Sequence, residues 1–310
     1  MMDIQENIKI KNKNKVVQGI KKNAPGILLA APPLIGFLLF GLIPLVMALI
    51  MAFHKVYGFS MEGMTFVGFQ NFTDTFADSQ FWLALRNTFI TALSMPVSLM
   101  LALLMAFLLN KKMKGAKVFR AIYFIPYIAS VVAVTYMWQW IFNTQYGVLN
   151  QWLGRTGENA IDWLGTERNY LISIMIMNVW SGAAYGIVLY SASLTNVSRT
   201  LMEQAEIDGA NAFQKFRNIT LPTISPTTFY LFTMGLIGSL QAFAVSNILG
   251  NNTTGPDDAG LTVVYYIYNR IFTYVNEVGR ASAALLLLSL VIALITLINF
   301  IASKYWVNYD

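Results

Sequence analysis

The chain has 310 residues, of which 56% are hydrophobic and only 12% are charged, and its mean hydropathy is +0.54. This composition is too apolar for a soluble domain and predicts a membrane protein. The chain contains no cysteine, which excludes disulfides, thiolate metal sites and cysteine catalysis. Its net charge of +6 has to be interpreted from the positions of Lys and Arg rather than from their sum, so it does not indicate a nucleic-acid partner.

Six apolar stretches are long enough to cross a hydrocarbon core of roughly 30 Å, which takes about 20 helical residues. We therefore predict an all-α fold, a polytopic membrane helical bundle with six transmembrane helices, preceded by a basic segment over 1–24 and occupying 25–310. In chain order the predicted spans are 27–53, 88–109, 121–142, 170–194, 227–249 and 281–303.

The basic residues predict the orientation of this bundle. If both termini and the loops 110–120 and 195–226 are cytoplasmic, the cytoplasm receives 15 of the 21 Lys and Arg residues. Cytoplasmic loops of membrane proteins are enriched in Lys and Arg, so this orientation is favoured. The Lys-rich start could instead introduce a cleaved signal, but the apolar run is longer than the roughly 7–15 residues of a signal peptide, and we predict an uncleaved first helix.

The polar stretch EQAEIDGANAFQKFRNITLP, residues 203–222, separates two apolar spans and is predicted to be cytoplasmic. Thr200 followed by Glu203 is a capping-box pattern that predicts a helix start, and Gly209 is suited to end that helix in a left-handed conformation. Asn211 is suited to cap a second short helix, which Pro222 would stop.

The second short helix would carry Phe213 and Phe216 on one side, which predicts a partner that covers the two rings. A solvated loop with ordinary caps would explain the same pattern. A metal or acid–base cluster of the nearby carboxylates is disfavoured, because no His lies close to them. The only histidine, His54, has no suitably spaced partner for a metal or catalytic role, and no P-loop or H-E-x-x-H sequence occurs.

The order Glu-Gln-Ala-x-x-Asp-Gly-Ala, followed by I-T-L-P at 219–222, closely resembles the EAA loop of ABC importer permeases. Gln204 departs from the Ala usual at its position. The resemblance implies that the loop 198–222 forms a coupling helix that docks on a separate cytoplasmic ATPase. The residues carried over to this role are Glu203, Ala205, Asp208, Gly209, Ala210, Phe213 and Phe216.

Further stretches narrow the resemblance to carbohydrate importers of the maltose and glycerol-phosphate type: FVGFQNF at 66–72, FRAIYFIPYIAS at 119–130, YGVLN at 146–150 and YIYNRIF at 266–272. The family's T-x-G-G-P is replaced by T-T-G-P in the loop after the fifth span. The resemblance implies a permease subunit in a bacterial inner membrane with both termini cytoplasmic. It also implies a second related permease forming a heterodimer, two ATPase domains and an extracytoplasmic sugar-binding protein. ATP and Mg would bind the ATPase, and this chain would bind no cofactor and catalyse no reaction.

The stretch MNVWSGAAYGIVLY, residues 177–190, places Asn178, Ser181, Gly182 and Tyr185 on one face of the fourth span. Carbohydrate-importer permeases carry similar Asn, Gly and Tyr positions on this helix, which implies that this face binds the sugar. Gln241 is expected to face the same cavity and Asn247 to lie nearer its outer mouth. A polar face that merely joins helices is the alternative.

Three other classes of function explain the sequence less well. An ion-coupled secondary transporter would also be a helical bundle, but it usually carries ionisable residues inside its spans, and the centres of these six spans have none. An intramembrane enzyme lacks any visible catalytic set. A purely structural membrane protein would leave the polar residues of the spans unexplained.

The predicted orientation can be tested directly, because the chain has no cysteine of its own. We expect Asn211→Cys to react with a membrane-impermeant maleimide only from the cytoplasmic side, and Asp74→Cys only from the outside. The measurement is labelling of intact cells against inside-out vesicles. The opposite labelling of either position would overturn the topology.

Overall fold

The computed structural model describes residues 24, 26, 28–58, 62–110, 116–274 and 276–308. Most of the predicted basic segment 1–24 and the Lys-rich start of the loop 110–120 lie outside these residues. The helices are α1 Leu28–Ala52, α2 Gln70–Ala77, α3 Ser79–Ala92, α4 Ser94–Asn110, α5 Ala116–Ile128, α6 Val131–Ile141, α7 Val148–Trp152, α8 Glu167–Leu194, α9 Arg199–Ile207, α10 Ala212–Lys215, α11 Leu221–Leu240, α12 Ala244–Leu249, α13 Val263–Phe272 and α14 Val278–Ser303. Two short strands, β1 His54–Lys55 and β2 Thr65–Phe66, pair antiparallel after α1.

Four helical runs in the described part of the chain are long and apolar enough to cross a membrane: Leu28–Ala52, Ser79–Asn110, Glu167–Leu194 and Val278–Ser303. They overlap the first, second, fourth and sixth predicted spans, and the prediction of an all-α membrane bundle is confirmed. The third and fifth predicted spans each fall on two shorter helices. The number of six transmembrane helices therefore stays a prediction.

The two interrupted spans break at non-helical residues. Ser130 is extended between α5 and α6, with ψ 132°, and residues 241–243 separate α11 from α12. In hydrocarbon, such a break persists only where protein or a cavity satisfies the freed backbone groups. The hydroxyl of Thr262 does so at the second break by donating to the carbonyl of Ala242 at 2.7 Å. A protein group therefore satisfies the backbone at the second break, whereas Ala129 and Ser130 at the first break are exposed in the single chain.

Helices α4 and α8 approach each other through small residues. Ala102 and Ala106 on α4 are completely buried, and Ala102 faces Gly186 on α8. A Cβ at Gly186 would lie only 2.6 Å from the Cβ of Ala102. Only glycine therefore permits this helix separation, as in the small-residue interfaces of other membrane helices.

A charged cluster joins α3, α13 and α14 at the end of the bundle remote from the loop 198–222. The carboxylate of Asp78 accepts from Arg270 at 2.7 Å, from Arg280 at 2.6 Å and from the Tyr266 hydroxyl at 2.8 Å. Glu277 completes the cluster with a 2.5 Å bond to Arg270. Burial, together with the bond to Asp78, raises the pKa of Tyr266, so its hydroxyl remains a donor.

Replacing the central carboxylate should destabilise this end of the protein. Asp78→Asn keeps a side chain that can cap α3, but it leaves two arginines without their shared counter-charge. We expect a loss of roughly 2–4 kcal/mol, less than for a fully buried pair because Glu277 remains. The measurement is thermal unfolding of the detergent-purified protein, with the exposed Asp74→Asn as the matched control. Equal melting temperatures for the two variants would contradict a stabilising role for the cluster.

Candidate functional site

A cavity of about 630 Å³ lies between α4, α8 and α11, in the middle of the bundle. The two helix breaks contribute to it, because Ala129 and Val131 flank one break and Ala242 belongs to the other. Broken helices at membrane depth are a common way to build a binding site in transporters. The residues of α4, α8 and α11 that line it are Ser94, Met95, Ser98, Leu99, Met177, Asn178, Ser181, Gly182, Tyr185, Tyr230, Leu231, Met234, Gly235, Gly238 and Ser239.

Four of the six residues predicted to bind substrate line this cavity: Asn178, Ser181, Gly182 and Tyr185. They share one face of α8, as their spacing predicts. Ser181 donates to the carbonyl of Met177 at 2.7 Å, within its own helix, and its oxygen can still accept. The amide of Asn178 has no hydrogen-bond partner among the described residues, so both its donors and its acceptor are available to a ligand.

Gly182 has a second role that its sequence position does not reveal. It faces the cavity, but a Cβ there would also lie 2.7 Å from the Ser98 hydroxyl on α4. The glycine therefore permits close packing of α4 as well as close approach of a ligand. Ser98 reaches the cavity because of this packing.

Three tyrosines lie together at the side of the cavity nearer the loop 198–222. The rings of Tyr127 and Tyr185 are stacked, with centroids 4.8 Å apart and planes inclined by 17°. The hydroxyls of Tyr185 and Tyr230 are 3.4 Å apart. All three tyrosines line the cavity and contribute aromatic rings and hydroxyl groups to its wall.

Gln241 and Asn247 do not line this cavity. Helix α11 ends at Leu240, and the turn at the break directs Gln241 to a separate depression on α14, beside Ser289 and Thr296. Asn247 donates its amide to the hydroxyl of Tyr265 at 2.9 Å. The expectation that Gln241 lines the same cavity as Asn178 is therefore wrong. It assumed that the fifth span is one uninterrupted helix, whereas the helix ends at Leu240.

The sequence prediction missed the contributions of α4, α5 and α11, namely Ser94, Ser98, Tyr127, Tyr230 and Met234. One signal was present for α4. Small residues recur there at every fourth position, Ser94, Ser98, Ala102 and Ala106. Two of them, Ser98 and Ala102, face the glycines of the G-x-x-x-G at 182–186. Tyr127 and Tyr230 had no comparable signal, because an aromatic residue in an apolar span is usually packing.

The loop 198–222 folds into the two predicted short helices with one different start. Ser198 rather than Thr200 caps α9, and its hydroxyl accepts from the backbone of Leu201. Gly209 adopts φ +78° after the last turn, as predicted. The backbone of Ala210 then donates to the carbonyl of Ala205 at 2.8 Å, which closes the helix end. Asn211 caps α10 in a capping box with Gln214.

Pro222 does not stop the second helix. After α10, a π-helical turn at Phe216–Thr220 leads directly into α11, with Pro222 in its first turn. Proline is tolerated there because its missing N–H falls near a helix start, and the wider turn absorbs the change in hydrogen bonding. Lys215 also reaches Glu206 on α9 at 3.6 Å. The loop is therefore joined to α11 as one continuous helical element.

Two apolar side chains stand out on the surface of this loop. Ile207 is 86% exposed and Phe213 is 68% exposed. Phe216, which was predicted beside Phe213, instead packs edge-on against Phe107 of α4, with centroids 6.0 Å apart. Glu203, Asp208 and Gly209 are exposed around the two apolar side chains, whereas Ala205 and Ala210 are partly buried. Ile207 was missed because it lies off the apolar face that Leu201, Met202 and Ala205 form on α9.

Comparison with known proteins extends over nearly the whole chain. Residues 98–305 match the family described as "Binding-protein-dependent transport system inner membrane component". The chain is 33% identical to the probable ABC transporter permease protein YesP of Bacillus subtilis, over 94% of both chains. It is 34% identical to the arabinooligosaccharides transport system permease protein AraP of the same organism, over 90% of this chain and 88% of that protein.

The fold is also that of a solved transporter. A chain in the crystal structure of a bacterial alginate ABC transporter, in complex with a periplasmic protein carrying an alginate pentasaccharide, superimposes with a TM-score of 0.79. The match covers 93% of this chain and 96% of that chain at 24% sequence identity. The helices and the match over residues 98–305 agree, and the chain therefore belongs to the family of inner membrane components of binding-protein-dependent transport systems.

Proposed function

We propose that this chain is a permease subunit of an ATP-driven ABC importer, that it carries sugars or oligosaccharides, and that it forms half of the translocation pathway. The single observation that carries the proposal is the central cavity, where the unpaired amide of Asn178 lies in the same chamber as the tyrosine rings. Several relatives whose names include a substrate are carbohydrate or polyol-phosphate transport proteins, which supports the same class.

The chemistry of the cavity suits a neutral carbohydrate. An amide both donates to and accepts from sugar hydroxyls, and an aromatic face packs on the apolar face of a pyranose ring. The volume of about 630 Å³ falls inside the range of about 300–1,000 Å³ usual for small-molecule sites.

The same cavity disfavours ion coupling. Among the described residues that line it there is no Asp, Glu, Lys, Arg or His. Proton- and ion-coupled transporters usually place such residues at membrane depth, where they bind the coupling ion. A neutral lining fits a subunit whose energy comes from a partner.

The partner that supplies energy would dock on the loop 198–222. Ile207 and Phe213 form a small apolar surface that an ATPase can cover, and the exposed carboxylates of Glu203 and Asp208 surround it. ATP and Mg would bind the ATPase, and this chain would be non-catalytic. The complete transporter would contain a second related permease, two ATPase domains and an extracytoplasmic binding protein, with both termini of this chain in the cytoplasm.

A mechanical connection links the docking surface to the cavity. The helical element that begins at Ala212 continues through the π turn and α11 to Leu240. It carries Phe213 at one end, and Tyr230 and Met234 in the cavity wall. A movement of the docked loop therefore moves one wall of the substrate site, and ATP binding can bias the bundle between two arrangements.

Removing the unpaired amide should weaken sugar transport. We expect Asn178→Ala to raise the KM of sugar uptake by about tenfold, because a hydrogen bond to the ligand is worth about 1 kcal/mol or somewhat more. Uptake is measured in cells on a panel of disaccharides and arabino-oligosaccharides, with the exposed Asn159→Ala as the matched control. Assembly and basal ATPase activity of the complex should be retained. Unchanged kinetics for every sugar, with intact assembly, would remove Asn178 from the site.

Removing the apolar side chains of the loop should uncouple the subunit from its ATPase. We expect Ile207→Ala and Phe213→Ala each to weaken co-purification of the ATPase by roughly tenfold or more, since buried apolar side chains dominate such interfaces. The melting temperature of the permease should not change, because both side chains are exposed in it. Trp152→Ala, which alters a side chain that is 85% exposed at the other end of the bundle, is the control. Normal ATPase association in both loop variants would contradict the docking role.

A further inference from the structure

A second cavity, of about 730 Å³ and wide open at the surface of the chain, lies beside the central one on the side of the loop 198–222. On α8 its lining begins at Tyr185 and continues through Leu189 to Ala192, and Asn196 follows in the turn after the helix ends. The three residues on the helix follow Asn178 and Ser181 at intervals of three or four, so they lie on the same face. The two cavities are therefore arranged in line along α8.

The same order is found on α11. The second cavity is lined by Pro226 and Thr227, and the central cavity by Met234 and Gly235 roughly two turns further along. Tyr230 lies between them. The two cavities are consecutive chambers between the same pair of helices.

Tyr185 and Tyr230 are the two residues, among those described, that line both chambers. Their hydroxyls meet at 3.4 Å across the gap between the helices, and Tyr127 stacks on the ring of Tyr185. The side chains thus occupy the boundary between the chambers. No ion pair between described residues lies at this boundary, and the polar contact across it is one long hydrogen bond between the two hydroxyls.

We propose that the Tyr185–Tyr230 pair is the barrier that closes the substrate cavity toward the cytoplasm, and that the second cavity is an exit chamber for the released sugar. This inference rests on the proposed function for the direction of transport. The lining of the exit chamber suits the same ligand class. Its hydroxyl and amide groups come from Ser193, Thr195, Asn196 and Thr227, and none of the described residues that line it is charged.

The position of the exit chamber explains how the barrier is controlled. Asn196 lies just before the coupling loop and Pro226 just after it, so both walls of the chamber are attached to the segment that docks the ATPase. Pro226 lies inside α11, one turn before Tyr230, and has no N–H to donate. The hydroxyl of Ser225 donates to the carbonyl of Pro222 that the proline leaves free, at 2.7 Å. A proline at this place is a point where α11 can bend and move Tyr230 relative to the loop.

The barrier can be tested by the access of a reagent, since the chain has no native cysteine. Ser181→Cys reports on the central cavity and Ala192→Cys on the exit chamber. The assembled transporter is used in inside-out vesicles without ATP, and a charged methanethiosulfonate is added from the cytoplasmic side. We expect Ala192→Cys to react readily and Ser181→Cys to react slowly.

Removing the aromatic ring of Tyr230 should open the barrier. In a Tyr230→Ala background we expect the reaction of Ser181→Cys to accelerate by roughly tenfold or more, which corresponds to about 1.4 kcal/mol or more of lost barrier. Tyr230→Phe keeps the ring and should leave the reaction slow. Tyr136→Ala, which removes an exposed tyrosine outside both chambers, is the matched control and should change nothing. If Tyr230→Ala does not assemble, Tyr230→Ser and Tyr185→Ala take its place.

The outcomes separate this inference from the proposed function. A reaction of Ser181→Cys that is already fast with Tyr230 intact, or that no ring removal accelerates, would overturn the barrier. If Asn178→Ala still altered sugar uptake in that case, the importer function would stand and the barrier alone would fall. Reaction of Ala192→Cys only from the outer side would overturn the exit role.

Discussion

The close approach of α4 to α8 at Gly186 is the constraint on which the rest of the site depends. Association of helices in a membrane gains little from the hydrophobic effect, because lipid tails are as apolar as the side chains they replace. Close van der Waals contact has to substitute for it, and this contact requires that no Cβ stands between Ala102 and the backbone of α8. The resulting separation brings Ser98 to the edge of the cavity and sets its width on that side.

The site also depends on hydrogen-bond partners for the backbone groups that the helix breaks leave free. A broken helix exposes carbonyl and N–H groups whose desolvation is costly in hydrocarbon. At the break after α11, Thr262 satisfies the carbonyl of Ala242, and the chain then forms part of the cavity wall. The same polar requirement that makes the break expensive in lipid makes it useful beside a ligand rich in hydroxyls.

The sequence predicted the parts of the fold that depend on local rules. Four of the six spans coincide with long apolar helices, the glycine at 209 takes the left-handed conformation, and Asn211 caps its helix. The polar face of α8 also followed from helical spacing alone. Local rules failed where tertiary contacts decide. Gln241 is directed away from the cavity by the break, and Tyr230 reaches the cavity only because α11 faces α8.

The continuous helical element from the coupling loop to the cavity separates two kinds of selection on this subunit. The proposed docking surface lies on its first turns and on α9, whereas the residues that line the central cavity lie on α8 and on the later turns of α11. Under the proposed function, a substitution at Asn178 or Met234 alters the cavity and leaves the docking surface unchanged. Cargo preference would then evolve at a few membrane-embedded positions, independently of the docking surface.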